Sequence, residues 1–334
     1  VPTGRATYTA VLKPAAADHR NAPVYRYGFW GKLALVLPCL RQRFRPRRRL
    51  LAGPFAGEFG YELMQWQAFV RGRKPHYEEV HVLTYPGRDY LYEGCTVHHH
   101  GFDLRTAGYA YGRLNPRASR ALARAKAAEI GLMDYDIFDA SLLCTQHHKR
   151  LFWRPEFRLF HEPPLNGTMR DVAFHFRAVR KEGPDQAKNY APDRAVALVN
   201  LCLAHGLAVS CIGHPDYALC PPGASDHRRV DLRETVAAIC GVQLVAGENS
   251  GPMHLANLCG KPTLVWAADQ ARIDYSLRWN PFRVPIYVAA NDTPQPAPSC
   301  VVEALQRSLE AARRMSADFT RPLFTMPAQP IAYY

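Results

Sequence analysis

The chain has 334 residues, 48% hydrophobic, 21% charged and 11% aromatic, a globular composition too long for one core of about 100 to 200 residues, so two domains are expected. No run approaches the roughly 20 consecutive apolar residues of a helical membrane span, and 22 Gly with 27 Pro show neither a collagen period nor a low-complexity tract, which excludes an integral helical membrane protein, a fibre and a disordered chain. A formal net charge of +13 makes polyanions the natural partners.

Taken in chain order, the apolar stretch Leu33 to Leu40 is too short to cross a bilayer but long enough to lie on one. It is followed by Arg41, Arg43, Arg45, Arg47, Arg48 and Arg49. This basic block, which begins in the N-terminal segment 1–45, reads either as a peripheral contact with an anionic membrane surface or as a solvated linker before the first strand. The basic block follows the apolar stretch instead of preceding it, unlike a signal peptide, and any targeting segment upstream of Val1 would be invisible.

A strand is expected at Arg49 to Ala52, then the glycine-rich turn 53–60 and a helix carrying Leu63, Trp66, Phe69 and Val70. Val80 to Thr84 and Thr96 to His100 read as strands. Asn115-Pro116 opens an alanine-rich helix ending near Gly131, with a further strand near Asp136 to Leu143. These elements make a first domain over 46–160, and the Pro-rich stretch 155–169 reads as the linker. Beyond it, a cleaner alternation gives strand Asp171 to Arg177, helix Pro192 to His205, strand Ala208 to Ile212, helix Leu232 to Cys240, strand Val242 to Ala246, helix Pro252 to Cys259 and strand Pro262 to Trp266. That is a second domain over 161–298. Residues 299–334 close the chain with an amphipathic helix, Val302, Leu305, Leu309 and Ala312 on one stripe, expected to pack across the domain boundary. Alternating strands and helices imply parallel sheets and an α/β, doubly wound architecture in both halves.

Ligands of open parallel sheets sit beyond the carboxyl ends of the strands. Three such loops carry chemistry. The first is Gly247-Glu248-Asn249-Ser250-Gly251-Pro252-Met253-His254. Ser250 or Asn249 can cap the helix, Gly251 admits close approach, and Pro252 suits the first turn. The loop is either a seat for a diphosphate at a helix N-terminus or a plain cap before a buried helix. The second is Gly57-Glu58-Phe59-Gly60, where Glu58 reads either as a general base flanked by Gly57 and Gly60 or as a cap, with Glu62 as the next carboxylate. The third, His175-Phe176-Arg177-Ala178-Val179-Arg180-Lys181, ends a strand. Alternation puts His175 and Arg177 on one face, and arginine matches phosphate bidentately; an exposed basic strand end is the alternative.

The run 245–266, VAGENSGPMHLANLCGKPTLVW, resembles the donor-site segment of the family 9 heptosyltransferases: an apolar strand, an acidic residue with Ser/Thr and Gly, a His three residues after that Gly, an apolar helix, Gly-x-Pro and a further strand. The resemblance implies a GT-B fold, two Rossmann-like domains facing across a cleft, with the nucleotide sugar held mainly by the C-terminal one and no catalytic metal. It further implies that Glu58 is the base for the acceptor hydroxyl and that a basic residue after strand Asp171 to Arg177 neutralises the departing diphosphate. Asn249 stands where the family's aspartate usually does, with Glu248 beside it. His175 and Arg177 are also similar to the GDP-fucose site of GT-B fucosyltransferases, and Gly213, in Gly213-His214-Pro215-Asp216, resembles the turn facing the nucleotide in GT-B proteins.

The function expected is thus a metal-independent glycosyltransferase acting from a nucleotide-diphosphate sugar on a carbohydrate or lipid-linked acceptor, with no cofactor. A cytoplasmic protein, peripheral to the inner face of a membrane through its arginines, is the expected setting. The rivals are a GDP-fucose-type transferase, a nucleotide-sugar epimerase, and a non-catalytic basic protein binding nucleic acid or membrane, nucleic acid being the less expected. Asp134-Tyr135-Asp136 has the D-x-D spacing of cation-dependent transferases but reads as a chance match in a loop. His98-His99-His100 and His147-His148 lack a partner at ligand spacing. Nine cysteines with no C-x-x-C argue against a zinc site or a disulfide scaffold. The sequons at Asn166 and Asn291 matter only in a secreted chain.

Overall fold

The computed structural model describes residues 37, 40–100, 116–138, 154–178 and 188–318. The first half is built from β1 (Arg49–Ala52), helix α1, β2 (Glu79–Thr84), β3 (Thr96–His99), α2 (Pro116–Glu129) and β4 (Tyr135–Phe138). Helix α1 is composite: an α turn Phe59–Tyr61, a π turn Glu62–Trp66 and an α segment Gln67–Arg73. The sheet order is β3-β2-β1-β4, every pair parallel. Leu50 and Leu51 are fully buried on opposite faces of β1, in separate clusters with α1 and with α2, because a central parallel strand must be covered on both sides.

The second half comprises β5 (Arg170–Arg177), α3 (Pro192–Ala204), β6 (Val209–Cys211), β7 (Ala218–Leu219), β8 (Ser225–Asp226), α4 (Leu232–Cys240), β9 (Val242–Glu248), α5 (Gly251–Leu258), β10 (Thr263–Trp266), α6 (Gln270–Arg278), β11 (Ile286–Ala290) and α7 (Pro298–Asp318). The order β11-β10-β9-β5-β6-β8 is parallel, with β7 added antiparallel to β5. One face of this sheet, with Phe174, Phe176, Leu244 and Trp266, packs against α3 and α7. The stripe Val302, Leu305 and Leu309 is absorbed there, so α7 packs on the second sheet and α3; residues 319–334 lie outside the described residues. The other core runs from Leu50, Phe55 and Trp66 through Phe157 and Phe160 to Val236, Leu255 and Trp279. The linker is stitched to both sides: Glu156 N–H donates to Ala68 O, and Phe160 N–H donates to Leu258 O.

Four elements go unannounced in the sequence reading: the two-residue strands β7 and β8, helix α6 and strand β11. Helix α6 buries Ile273 and Ser276 alone and is started by Asp269, whose side chain accepts from Arg272 N–H. Strand β11 is an edge whose residues stay half-buried or exposed. Asp136, at the start of an expected strand but set aside with Asp134 as a chance D-x-D match in a loop, lies within β4 and is 1% exposed. Its carboxylate accepts from Arg41, from Arg47 N–H and from Tyr77 O–H.

Candidate functional site

The carboxyl ends of β5, β6 and β9 converge on one place. His175, near the end of β5, is 6% exposed, and its Nδ1 lies 2.9 Å from Ser250 Oγ. Burial, with Arg177 adding to it, lowers the His175 pKa to about 4, so the neutral ring shares a hydrogen bond with the hydroxyl at pH 7. Phe174 and Phe176 point the other way and stack at 5.0 Å. Gly213, just past β6, has φ +116°, and a Cβ there would stand 2.7 Å from His175 Cδ2; both facts require glycine.

Neither polar side chain before α5 caps it. Ser250 is the N-cap residue, but its hydroxyl is directed to His175, and Asn249 Nδ2 donates to Arg272 O at 2.7 Å. The expected side-chain cap is therefore replaced by two long-range bonds that fix the loop, leaving the amides of Ser250 and Gly251 without an intrahelical acceptor. Pro252 occupies the first turn. Glu248 is buried at the end of β9, with Arg272 Nη1 3.7 Å from its Oε1.

His254, one turn inside α5, is 3% exposed, and its Nδ1 has no hydrogen-bond partner among the described residues. Burial drives its pKa down to about 3. Its ring lies 4.9 Å from that of Trp279, and Trp279 meets Tyr61 of the other half edge-on at 5.0 Å.

The loop bearing Glu58 sits directly opposite. Glu58 is exposed and stands at the N-cap position of α1 without a side-chain cap bond. The space beside Gly57 holds the Phe55 ring, and a Cβ on Gly60 would lie 3.4 Å from His254 Cδ2. Glu62 is of another kind. It is 1% exposed, and its Oε1 accepts from Thr84 Oγ1 at 2.6 Å and Tyr92 O–H at 2.7 Å. Arg88 Nε stands 3.6 Å from its other oxygen, and the Arg88 guanidinium lies 3.9 Å over the Phe59 ring. Arg88, Trp279 and Arg272 escaped the sequence reading. Arg88 follows β2 as Arg177 ends β5, so the strand-end rule that picked Arg177 would have found it.

Lys181, His147 and His148 lie outside the described residues. His98 pairs with His81 at 3.0 Å, His99 with Asp89, and His100 Nε2 lies 2.6 Å from Phe55 O, while the seven described cysteines are free thiols. Of the N-terminal arginines, Arg41 pairs with Asp136, Arg47 with Asp134 and Asp136, Arg48 with Glu78 and Arg49 with Glu79. Among the described residues no helix is long and apolar enough to cross a membrane, and no group of three or more His, Cys, Asp or Glu could hold a metal ion.

Two parallel α/β sheets with facing carboxyl-end loops define a GT-B fold. The chain is similar to the E. coli ADP-heptose LPS heptosyltransferase II, with a TM-score of 0.53 and 16% identity over 80% of this chain and 99% of that one. It is also similar to the family 9 glycosyl transferase of Veillonella parvula, with a TM-score of 0.52 and 11% identity over 80% and 99%. The iron-containing dodecameric glycosyltransferase TibC of enterotoxigenic E. coli matches at a TM-score of 0.42 and 16% identity over 66% of this chain, which spans 58% of that one. No family model and no curated protein matches the sequence. The fold is thus that of the family 9 heptosyltransferase structures.

Proposed function

We propose that the chain is a GT-B glycosyltransferase that moves a sugar from a nucleotide-diphosphate donor to a carbohydrate or lipid-linked acceptor. One observation carries the reading: the first turn of α5, with its loop held by the His175–Ser250 bond, faces the Glu58 loop of the other half. The amides of Ser250 and Gly251 stabilise the departing diphosphate, together with Arg177 and Lys181. Glu58 accepts the proton of the acceptor hydroxyl as that oxygen bonds to the anomeric carbon and the bond from this carbon to the diphosphate breaks. His254, neutral at pH 7, contacts phosphate or orients the loop and is no base at that position. ADP-heptose, named for heptosyltransferase II, makes ADP the first nucleotide to test.

Turnover is proposed to need no divalent metal, because Asp136 of the D-x-D spacing is engaged by Arg41, Arg47 and Tyr77. At the membrane, the exposed Phe44 and Leu37 support contact with an anionic surface more than the arginines do, four of which have carboxylate partners. The test is a titration with ADP-, GDP-, UDP- and dTDP-sugars, with and without EDTA. Saturable binding of one donor, unaffected by EDTA, is the expected result. Salt-dependent RNA binding without nucleotide-sugar binding would replace this reading with a binding protein.

A further inference from the structure

The room that Gly251 leaves is already filled. A Cβ on Gly251 would lie 2.6 Å from Phe59 Cδ1, 3.4 Å from its Cγ and 3.5 Å from its Cβ, so the Phe59 side chain of the first half rests on the backbone at the start of α5. The same ring also carries the Arg88 guanidinium, 3.9 Å from its centroid, and Arg88 is itself drawn toward buried Glu62. Phe59 is therefore in contact with both Gly251 and Arg88. It belongs to a turn bounded by Gly57 and Gly60 and followed by a π turn, a construction that accommodates rearrangement.

We propose that Phe59 is a gate on the donor seat, competing with the donor's diphosphate for the space over Gly251. This rests on the reading of α5 as that seat. A phosphate oxygen must come within about 3 Å of the Gly251 amide to be bound by it, and the Phe59 ring stands against the same residue. The donor therefore binds by displacing the ring, and the displacement uncovers Arg88, adding a cation beside the diphosphate. Glycine at 251 serves two occupants in turn, the ring and the phosphate. Phe59 acts by setting how much of the protein is competent to bind, which reduces apparent affinity by the competent fraction.

The experiment is calorimetric titration of wild type, Phe59→Ala and Phe59→Leu with ADP, GDP and UDP. Phe59→Ala should bind its nucleotide about tenfold more tightly than wild type, the gain expected where the ring covers the seat nine-tenths of the time. Phe59→Leu, which keeps an apolar contact should the alanine variant fail to fold, should shift the same way by less. Unchanged or weaker binding in the folded variants overturns the gate, weaker binding making Phe59 a part of the donor's own contacts. If neither wild type nor variants bind any nucleotide, the reading of α5 falls and the gate with it.

Discussion

Two glutamates four residues apart take opposite parts, and burial separates them. Glu62 is enclosed by Thr84, Tyr92 and Arg88, whereas Glu58 is exposed at the mouth of the cleft and caps nothing with its side chain. Glu58→Gln is therefore expected to lower turnover by about 100-fold to 10,000-fold. Donor affinity should hold, because Glu58 is not among the proposed contacts of the diphosphate. Turnover and donor affinity measured on one preparation check this; wild-type turnover would remove Glu58 from the mechanism. The place of Glu58 in the loop entering α1 was legible because a carboxylate between glycines after a first strand is a local pattern. The partner of Ser250 was not, since His175 lies 75 residues away and a hydroxyl before a helix ordinarily reads as its cap.

At the scale of elements, strands and helices with strong apolar periodicity were legible nearly to the residue, β1 and α4 among them. Those missed lacked the signal. Helix α6 buries two residues of nine, and β11 is an edge strand with no fully buried position. The spacing of Asp134 and Asp136 misled for a related reason, because it does not reveal that the second aspartate faces a segment arriving from Arg41 and Arg47. That segment is clamped along β4, where Gln42 Nε2 also donates to Ile137 O. Asp136→Ala should cost about 1 to 3 kcal/mol, the loss expected when the buried acceptor of Tyr77 O–H and Arg47 N–H is removed while its half-exposed arginine partners remain solvated, with turnover retained below the melting temperature. Denaturant unfolding and an assay at low temperature check both halves. Lost turnover in a folded variant would restore the D-x-D aspartates as a cation site.

The molecule as a whole is welded by one core running across both halves and by aromatic contacts at the cleft, features that emerge only when two separately legible halves meet. Among the described residues three histidines are buried in neutral form: His100 and His175 with pKa values of about 4 and His254 of about 3, burial being the leading cause in each. Unfolding returns them toward 6.5, so the unfolded chain takes up protons that the native state refuses. Their contribution is fully present above pH 6.5 and falls as the pH drops through 6.5 toward 4 and 3. Each histidine steepens the loss by up to about 1.4 kcal/mol per pH unit. Denaturation between pH 7 and 4.5 should show this acid limb, and His254→Phe should flatten it by about one proton; an unchanged slope would mean that His254 is protonated in the native protein.

The central claim is that the start of α5 seats the donor's diphosphate, and amide hydrogen exchange with and without the nucleotide sugar that binds tests it most directly. Slowed exchange at Ser250, Gly251 and Met253, with the exposed arginine segment at Arg41 to Arg48 unaffected, is the predicted result. Protection confined to that arginine segment, with the amides of α5 unchanged, would contradict it.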